Sequence, residues 1–465
     1  MKSVIAIVGR PNVGKSTLFN YLTRSRNALV ADRPGVTRDR QYGFGNYQGR
    51  AFILVDTGGL GRNDKDSENI SNLISDQSLL AIEEADVLIW LVDGRQGLTS
   101  EDEHLARILR PMCDCIFLTA NKTEGLNADI ILSDFYRLGF SGPFAISAKR
   151  GAGIHQLMDE VIKQLPVESE DEDQTKHGLR ITVLGRPNVG KSTLTNRILG
   201  EERMLTFNKP GTTRDSIAIP FEHDGTPYTL IDTAGIRRRS KINDVIEKFS
   251  VVKALQAIDN TQIVILVLDA HEAITEQDAS LLGLIVDSGK ALIIAINKWD
   301  GLELSHKNRI KAQLDRKLGF IDYACIHFIS ALHGSGVGKL FVSINKISQS
   351  ISIAPAASKI TAILQQATQA HSPPVVHGRR IKLRYAHIGG HDPIRIIVHG
   401  NQTDRVPESY KRYLSKQMRK QLKLIGTPVL IDFKQGDNPY KDRKNILTNR
   451  QIEKRRRLMR HVRKR

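Results

Sequence analysis

Cysteine is scarce, with only Cys113, Cys115 and Cys325 in 465 residues. Three thiols cannot build a disulfide framework, and so small a number fits a reducing compartment. Cys113 and Cys115 flank Asp114 just ahead of the apolar run 116–118. As alternate residues at a strand entrance they read as packing side chains rather than metal ligands. Long apolar stretches are missing as well. The longest, 87–92, 263–268 and 291–296, fall far below the roughly 20 residues a bilayer-spanning helix needs and suit buried parallel strands. The apolar segment 4–8 is too short for an export signal. These absences predict a cytoplasmic chain with no membrane partner.

What is present is globular in balance, 40% hydrophobic and 25% charged residues, and too long for a single core. The net charge of +18 is confined to one end. Residues 373–465 hold 25 Lys and Arg against 7 Asp and Glu, an excess equal to that of the whole chain. The first 372 residues carry 43 of each sign and are neutral. One end alone is built for a polyanion.

The chain repeats itself. GRPNVGKSTL occurs at 9–18 and again at 185–194, an offset of 176 residues. The same offset relates PGVTRD at 34–39 to PGTTRD at 210–215, DTGG at 56–59 to DTAG at 232–235, and Asn121-Lys122 to Asn297-Lys298. Two homologous domains follow, each alternating strand-like and amphipathic segments in the pattern of a doubly wound, mostly parallel α/β sheet. Between them, Glu168, Glu170, Asp171, Glu172 and Asp173 mark a solvated linker. Beyond residue 355 the order becomes α-β-β-α-β, a small third domain. Its expected elements are a helix near 359–370, strands at 381–385 and 394–398, a helix at 408–424 and a strand at 429–433. The expected boundaries are 1–165, linker 166–179, 180–354, 355–440 and a basic tail 441–465.

Each repeat opens with Gly-x-x-x-x-Gly-Lys-Ser directly after an apolar strand, the context a phosphate-binding loop requires. Gly9, Arg10, Pro11, Asn12, Val13, Gly14, Lys15, Ser16 and Thr17 form the first loop; Gly185, Arg186, Pro187, Asn188, Val189, Gly190, Lys191, Ser192 and Thr193 form the second. The glycines let backbone amides and a helix N-terminus face phosphate, Lys15 and Lys191 reach the β and γ phosphates, and Ser16 and Ser192 bind Mg2+. Thr37 and Thr213 are expected to complete the Mg2+ shell as switch residues. Asp56 and Asp232 are expected to hold the ion through water, and Gly59 and Gly235 to turn amides to the γ phosphate. Base identity is expected from Asn297, Lys298 and Asp300, whose carboxylate can take two hydrogen bonds from guanine. The first repeat has Asn121, Lys122 and then Glu124, one methylene longer, predicting weaker guanine selectivity there. Ser147 and Ala148, like Ser330 and Ala331, fit loops that support the guanine ring.

The doubled loop, the acidic linker and Tyr410-Lys411-Arg412-Tyr413-Leu414 together resemble the EngA/Der GTPases over almost the whole chain. The resemblance implies bacterial origin, GTP hydrolysis in the assembly of the large ribosomal subunit, binding to that subunit or its precursors and their rRNA, and a KH-like C-terminal domain. A monomer is expected. Many small GTPases place a water-orienting glutamine after Asp-x-x-Gly; here Leu60 and Ile236 stand there. A K+ ion beside the phosphates, bound with help from Asn12 and Asn188, is one substitute; an Asn that merely suits a tight loop is the other reading. Arg38, Arg214 and 237–239 suit either transition-state charge or solvent.

The third domain lacks the Gly-x-x-Gly loop with which KH domains clamp a nucleic-acid backbone. Arg379, Arg380, Lys411, Arg412, Arg419 and Lys420 are its expected RNA contacts, and eight of the twelve residues 454–465 are Lys or Arg. His387, His391 and His399 show no ligand-like spacing. Two further readings stand beside the switch: an RNA-binding scaffold with incidental hydrolysis, and a tRNA-modifying GTPase, for which no second catalytic centre is visible.

Overall fold

A computed structural model describes residues 2–23, 41–57, 76–166, 178–200, 218–231, 250–272, 274–319, 321–352, 355–376 and 379–435. Much of the acidic linker, the tail, Thr37, Gly59, Thr213, Asp232, Gly235, Leu60, Ile236, Arg38, Arg214 and 237–239 lie outside them.

The first repeat forms a six-stranded sheet of order β2-β3-β1-β4-β5-β6. Its strands are β1 (Ser3–Gly9), β2 (Gln41–Tyr47), β3 (Arg50–Asp56), β4 (Val87–Asp93), β5 (Ile116–Asn121) and β6 (Ser141–Ala145). Only the β2-β3 pair is antiparallel. Every residue of β1, β4 and β5 is buried, as strands covered on both faces must be, and this accounts for their unbroken apolar runs. Alternate side chains feed two cores. Val4, Ala6, Val8, Leu88 and Trp90 face one; Ile5, Ile7, Ile89 and Leu91 face the other. Cys113 and Cys115 likewise pack on opposite cores. The helices are α1 (Lys15–Thr23), α2 (Asp76–Glu83), α3 (Ser100–Leu109), α4 (Ala128–Phe135) and α5 (Ile154–Gln164).

The second repeat winds identically in the order β12-β11-β10-β7-β9-β8. Its strands are β7 (Leu179–Leu184), β8 (Ala218–His223), β9 (Thr226–Ile231), β10 (Ile263–Asp269), β11 (Ala291–Asn297) and β12 (Cys325–Phe328). Around them lie α6 (Lys191–Leu199), α7 (Val251–Asp259), α8 (Glu276–Ser288), α9 (Leu304–Leu318) and α10 (Val337–Ile351). Helix α7 is apolar on more than one side, and both halves use it. Ala254, Ala257 and Ile258 fill the second core, while Val252 and Leu255 are buried with Val4 and Ala6 in the first. Ser250 caps α7 by accepting from the Lys253 N–H, and its hydroxyl also meets the Glu84 carboxylate.

The C-terminal region contains α11 (Ala357–Ala370), a short ribbon of β13 (Val375–Val376) and β14 (Arg379–Arg380), and β15 (Lys382–His391). Next come β16 (Ile394–Asn401), α12 (Glu408–Leu422) and β17 (Leu430–Gln435). The sheet order is β15-β16-β17. β15 runs six residues past the strand expected from the sequence, because the chain reverses at Asp392-Pro393 rather than at the Gly389-Gly390 pair. β16 alternates buried and half-buried residues, the mark of a sheet covered on one face. Thr361 donates to the Ala386 carbonyl at 3.0 Å, and Tyr410 and Tyr413 donate to the His371 and Ala367 carbonyls, pinning both helices. Helix α12 stops two residues early where Lys423 turns left-handed at φ +55°.

Candidate nucleotide sites

Each phosphate loop joins a buried strand to a helix, β1 to α1 and β7 to α6. At Gly14 (φ +101°) a Cβ would lie 2.3 Å from Asn121 Nδ2, and at Gly190 (φ +96°) 2.2 Å from Asn297 Nδ2, so both positions demand glycine. Asn12 and Asn188 are left-handed at φ +63° and +65°, a region asparagine enters more readily than most residues. Asparagine suits this backbone, as the tight-loop reading expects. Lys15 is 6% exposed and donates to the carbonyls of Gly9 at 2.9 Å and Arg10 at 2.7 Å. Burial lowers its ammonium pKa to about 8, against an opposing pull from Asp56. Ser16 donates to Asp56 at 2.8 Å, so the two Mg2+ candidates from β3 and α1 already touch.

The other end of the site is a bracket built from side chain to backbone. Asn121 donates to the Val13 carbonyl at 2.8 Å and accepts from the Ala148 N–H at 2.9 Å, tying the phosphate loop to the loop at 147–148. Asn297 repeats both bonds, to Val189 and Ala331, each at 2.8 Å. Lys122 donates to Asp93 and to the Asn12 carbonyl, both at 2.7 Å, and Lys298 to Asp269 at 2.6 Å. Burial would raise Asp93, but the Lys122 bond and the Arg95 N–H hold its carboxyl below the usual range. Asp93 and Asp269 end β4 and β10 at the 176-residue offset, a signal the motif reading missed.

The carboxylates expected to read the base differ. Glu124 meets Arg95 at 3.1 Å, while Asp300 meets His333 at 3.2 Å. Bonds from its own N–H and from Ser147 hold Glu124 below the ordinary glutamate range; Ser330 and its own N–H do the same for Asp300. Arg10 and Arg186, in contrast, turn away from the loops. Arg10 Nε donates at 2.8 Å to Asp102, which is fully buried in the capping box of α3. Arg186 lies 3.4 Å from the matching Asp278 of α8. Their charge braces the loop from behind.

The first site thus presents an ammonium, a glycine loop and a carboxylate at one end, and a second carboxylate beside a backbone loop at the other; the second site repeats the ammonium, the glycine loop and the far carboxylate, with Asp232 outside the described residues. That shape and charge suit a nucleotide with a phosphate chain and adjacent donors on its base. A family model described as 50S ribosome-binding GTPase matches residues 4–122 and 180–298. A second, described as the KH-domain-like C-terminal region of EngA bacterial GTPase enzymes, matches 356–434. The chain belongs to the EngA/Der family of GTPases. The GTPase Der of Thioalkalivibrio sulfidiphilus is 55% identical over 466 residues, covering 100% of both chains. Those of Legionella pneumophila (strain Corby) and Pseudomonas putida (strain W619) are 54% and 50% identical, over 99% and 100% of this chain and 99% and 98% of theirs. The G domain of the T. maritima FeoB iron transporter is 27% identical over 35% of this chain and 99% of that one, with a TM-score of 0.28. The EngA/Der chain is accordingly a GTP-binding hydrolase with two GTPase domains and a KH-like C-terminal domain. No helix among the described residues is long and apolar enough to cross a membrane.

Of the expected RNA contacts, Arg419 is 13% exposed and donates to Asp322 at 2.8 Å, and Lys411 pairs with Glu408. Sequence spacing concealed a ring stack. Tyr385, 49% exposed, stacks on His399 with centroids 4.4 Å apart at 9°, and His399 Nε2 lies 3.2 Å from His387 Nε2. Since His387 Nδ1 lies 2.8 Å from the Ile388 carbonyl and must donate to it, the neutral pair has His399 donating to His387. Burial and the neighbouring His387 lower the His399 pKa.

Proposed function

We propose that the two sites are GTP switches that govern how a basic C-terminal domain engages rRNA during assembly of the large ribosomal subunit in the cytoplasm. The observation that carries this reading is that the asparagine bracket between phosphate loop and base loop, and the lysine–aspartate bond beside it, recur in both halves. A pure scaffold would have no use for two.

In this reading the loop amides of 9–17 and 185–193, with Lys15 and Lys191, hold the phosphates, and Gly59 and Gly235 approach the γ phosphate. Asn121, Lys122, Glu124, Ser147 and Ala148, and Asn297, Lys298, Asp300, Ser330 and Ala331, form the guanine ends. Ser16, Thr37 and Asp56, and Ser192, Thr213 and Asp232, hold Mg2+; the 2.8 Å contact of Ser16 with Asp56 fits that donor set. The ion would neutralise charge on the β and γ oxygens. A K+ ion near Asn12 and Asn188 would supply the charge that glutamine does not; equal turnover in Na+ and K+ buffers removes this element.

For RNA, residues 379–435 carry 13 Lys and Arg against 4 Asp and Glu. The half-exposed Tyr385 ring, backed by His399, offers a base a stacking face in place of the missing Gly-x-x-Gly loop. The deciding experiment is co-pelleting with ribosomal subunits in GDP or a non-hydrolysable GTP analogue, for the whole chain and for one ending at Ser372. Nucleotide-dependent binding to the large subunit that truncation removes is expected. Equal binding in both nucleotide states sinks the switch and leaves a scaffold; no binding by the whole chain returns the tRNA reading.

A further inference from the structure

The first site reads its base with a glutamate where the second has an aspartate. A longer side chain adds one torsion and moves the carboxylate outward, and either change by itself would loosen recognition. Beside the bonds from its own N–H and Ser147, a chain of four contacts through Arg95 opposes that loosening. Arg95 Nη2 donates to Glu124 Oε1 at 3.1 Å, and Arg95 Nε donates to the Lys122 carbonyl at 3.2 Å. The Arg95 backbone N–H in turn donates to Asp93 at 2.9 Å, and Asp93 holds Lys122. One guanidinium therefore ties the glutamate to the backbone of its own loop, and the loop to the end of β4. The Glu124 side chain is only 18% exposed, and its second oxygen, Oε2, is buried.

The second repeat lacks this tie. The residue at the Arg95 offset is His271, which shares the backbone bond to Asp269 and acts on Asp300 only through its charge, while the close contact to Asp300, at 3.2 Å, comes from His333. Aspartate there coincides with histidine, and glutamate in the first site with arginine.

We propose that Arg95 is a positioning residue that adapts Glu124 to guanine: it holds the longer carboxylate in one conformer so that both oxygens meet the N1 and N2 donors of the base. Guanine selectivity in the first site is then restored rather than weakened. The inference rests on Glu124 reading the base, and the test separates the two claims.

The test uses the full chain carrying Lys191→Ala, so that only the first site binds tightly, and fluorescent GDP displaced by GDP or by IDP, which lacks the N2 amine. The ratio of the two affinities reports base reading, and phosphate contacts cancel from it. Arg95→Ala is expected to reduce that ratio about tenfold, the effect of losing one charged hydrogen bond. Glu124→Asp added to Arg95→Ala should recover most of it, because the shorter side chain needs no tie. Arg95→Lys, which keeps the charge but not the fork, should fall between. If Glu124→Ala leaves the ratio unchanged, Glu124 does not read the base and both claims fall. If Glu124→Ala lowers the ratio but Arg95→Ala does not, only the positioning role is overturned. A ratio that falls in Arg95→Ala but is not rescued by Glu124→Asp overturns it too, since Arg95 would then act on the base or on loop folding. Thermal unfolding of each variant keeps loss of fold apart from loss of reading.

Discussion

Lys15 shows how far a motif residue's chemistry departs from its textual role. Its ammonium is buried against two carbonyls and titrates near 8. A lowered folded-state pKa for a lysine means the charged form is disfavoured in the free protein. Phosphate beside it would favour the charge and raise the pKa again. First-site affinity for GDP should therefore be flat below about pH 8 and fall by up to about tenfold per unit above it, as binding comes to require proton uptake. Calorimetry in buffers of different ionisation enthalpy, on the Lys191→Ala chain, would show that uptake above pH 8; heats independent of buffer would contradict it. Asn297 supplies a second prediction at this scale. Removing its side chain strands the Val189 carbonyl and the Ala331 N–H, at roughly 1–3 kcal/mol for each buried group. Asn297→Ala should cost the second site at least tenfold in nucleotide affinity by equilibrium titration. The sequence motif singled out both asparagines. Their work as braces between backbone loops became visible only with the fold, because Val189 and Ala331 are remote in sequence from Asn297.

Among the elements, the buried strands were the most legible, since an unbroken apolar run of six or seven residues has few other uses in a chain this polar. Helix α7 was not. Its residues VVKALQAID are apolar around most of the circumference, a pattern that means burial on two sides but cannot say against what. The fold supplies the partner: Leu255, 1% exposed, lies in the core of the other GTPase domain. Leu255→Ala should lower stability by about 2–5 kcal/mol. Because the same helix fills both cores, urea unfolding followed by a probe in each domain should give one shared transition in the parent chain. Leu255→Ala should split it, leaving the second core, which lacks that side chain, the less affected. Separate transitions already in the parent would show that α7 does not couple the domains.

On the scale of the whole molecule, charge is segregated: 372 neutral residues carry the nucleotide chemistry and 93 carry all the excess. In the proposed RNA-binding role, two sources of affinity then differ in kind. Lys and Arg displace counterions, so their contribution falls with salt, by a slope near −0.7 per phosphate contact on single strands, whereas stacking on Tyr385 depends little on salt. Residues 441–465 hold 12 Lys and Arg. Deleting them should flatten the plot of log affinity against log salt for a single-stranded rRNA fragment, and the gap to the full chain should close as salt approaches about 0.5 M. Tyr385→Ala should instead shift the line downward at every salt, by about 1–3 kcal/mol for one lost stack. Filter binding across a salt series separates the two, because a slope and an offset cannot substitute for one another. A tail deletion that leaves the slope intact would place the phosphate contacts on α12 and the β-sheet. A Tyr385→Ala line superimposed on the parent would remove the stacking face from the account and leave RNA binding purely electrostatic.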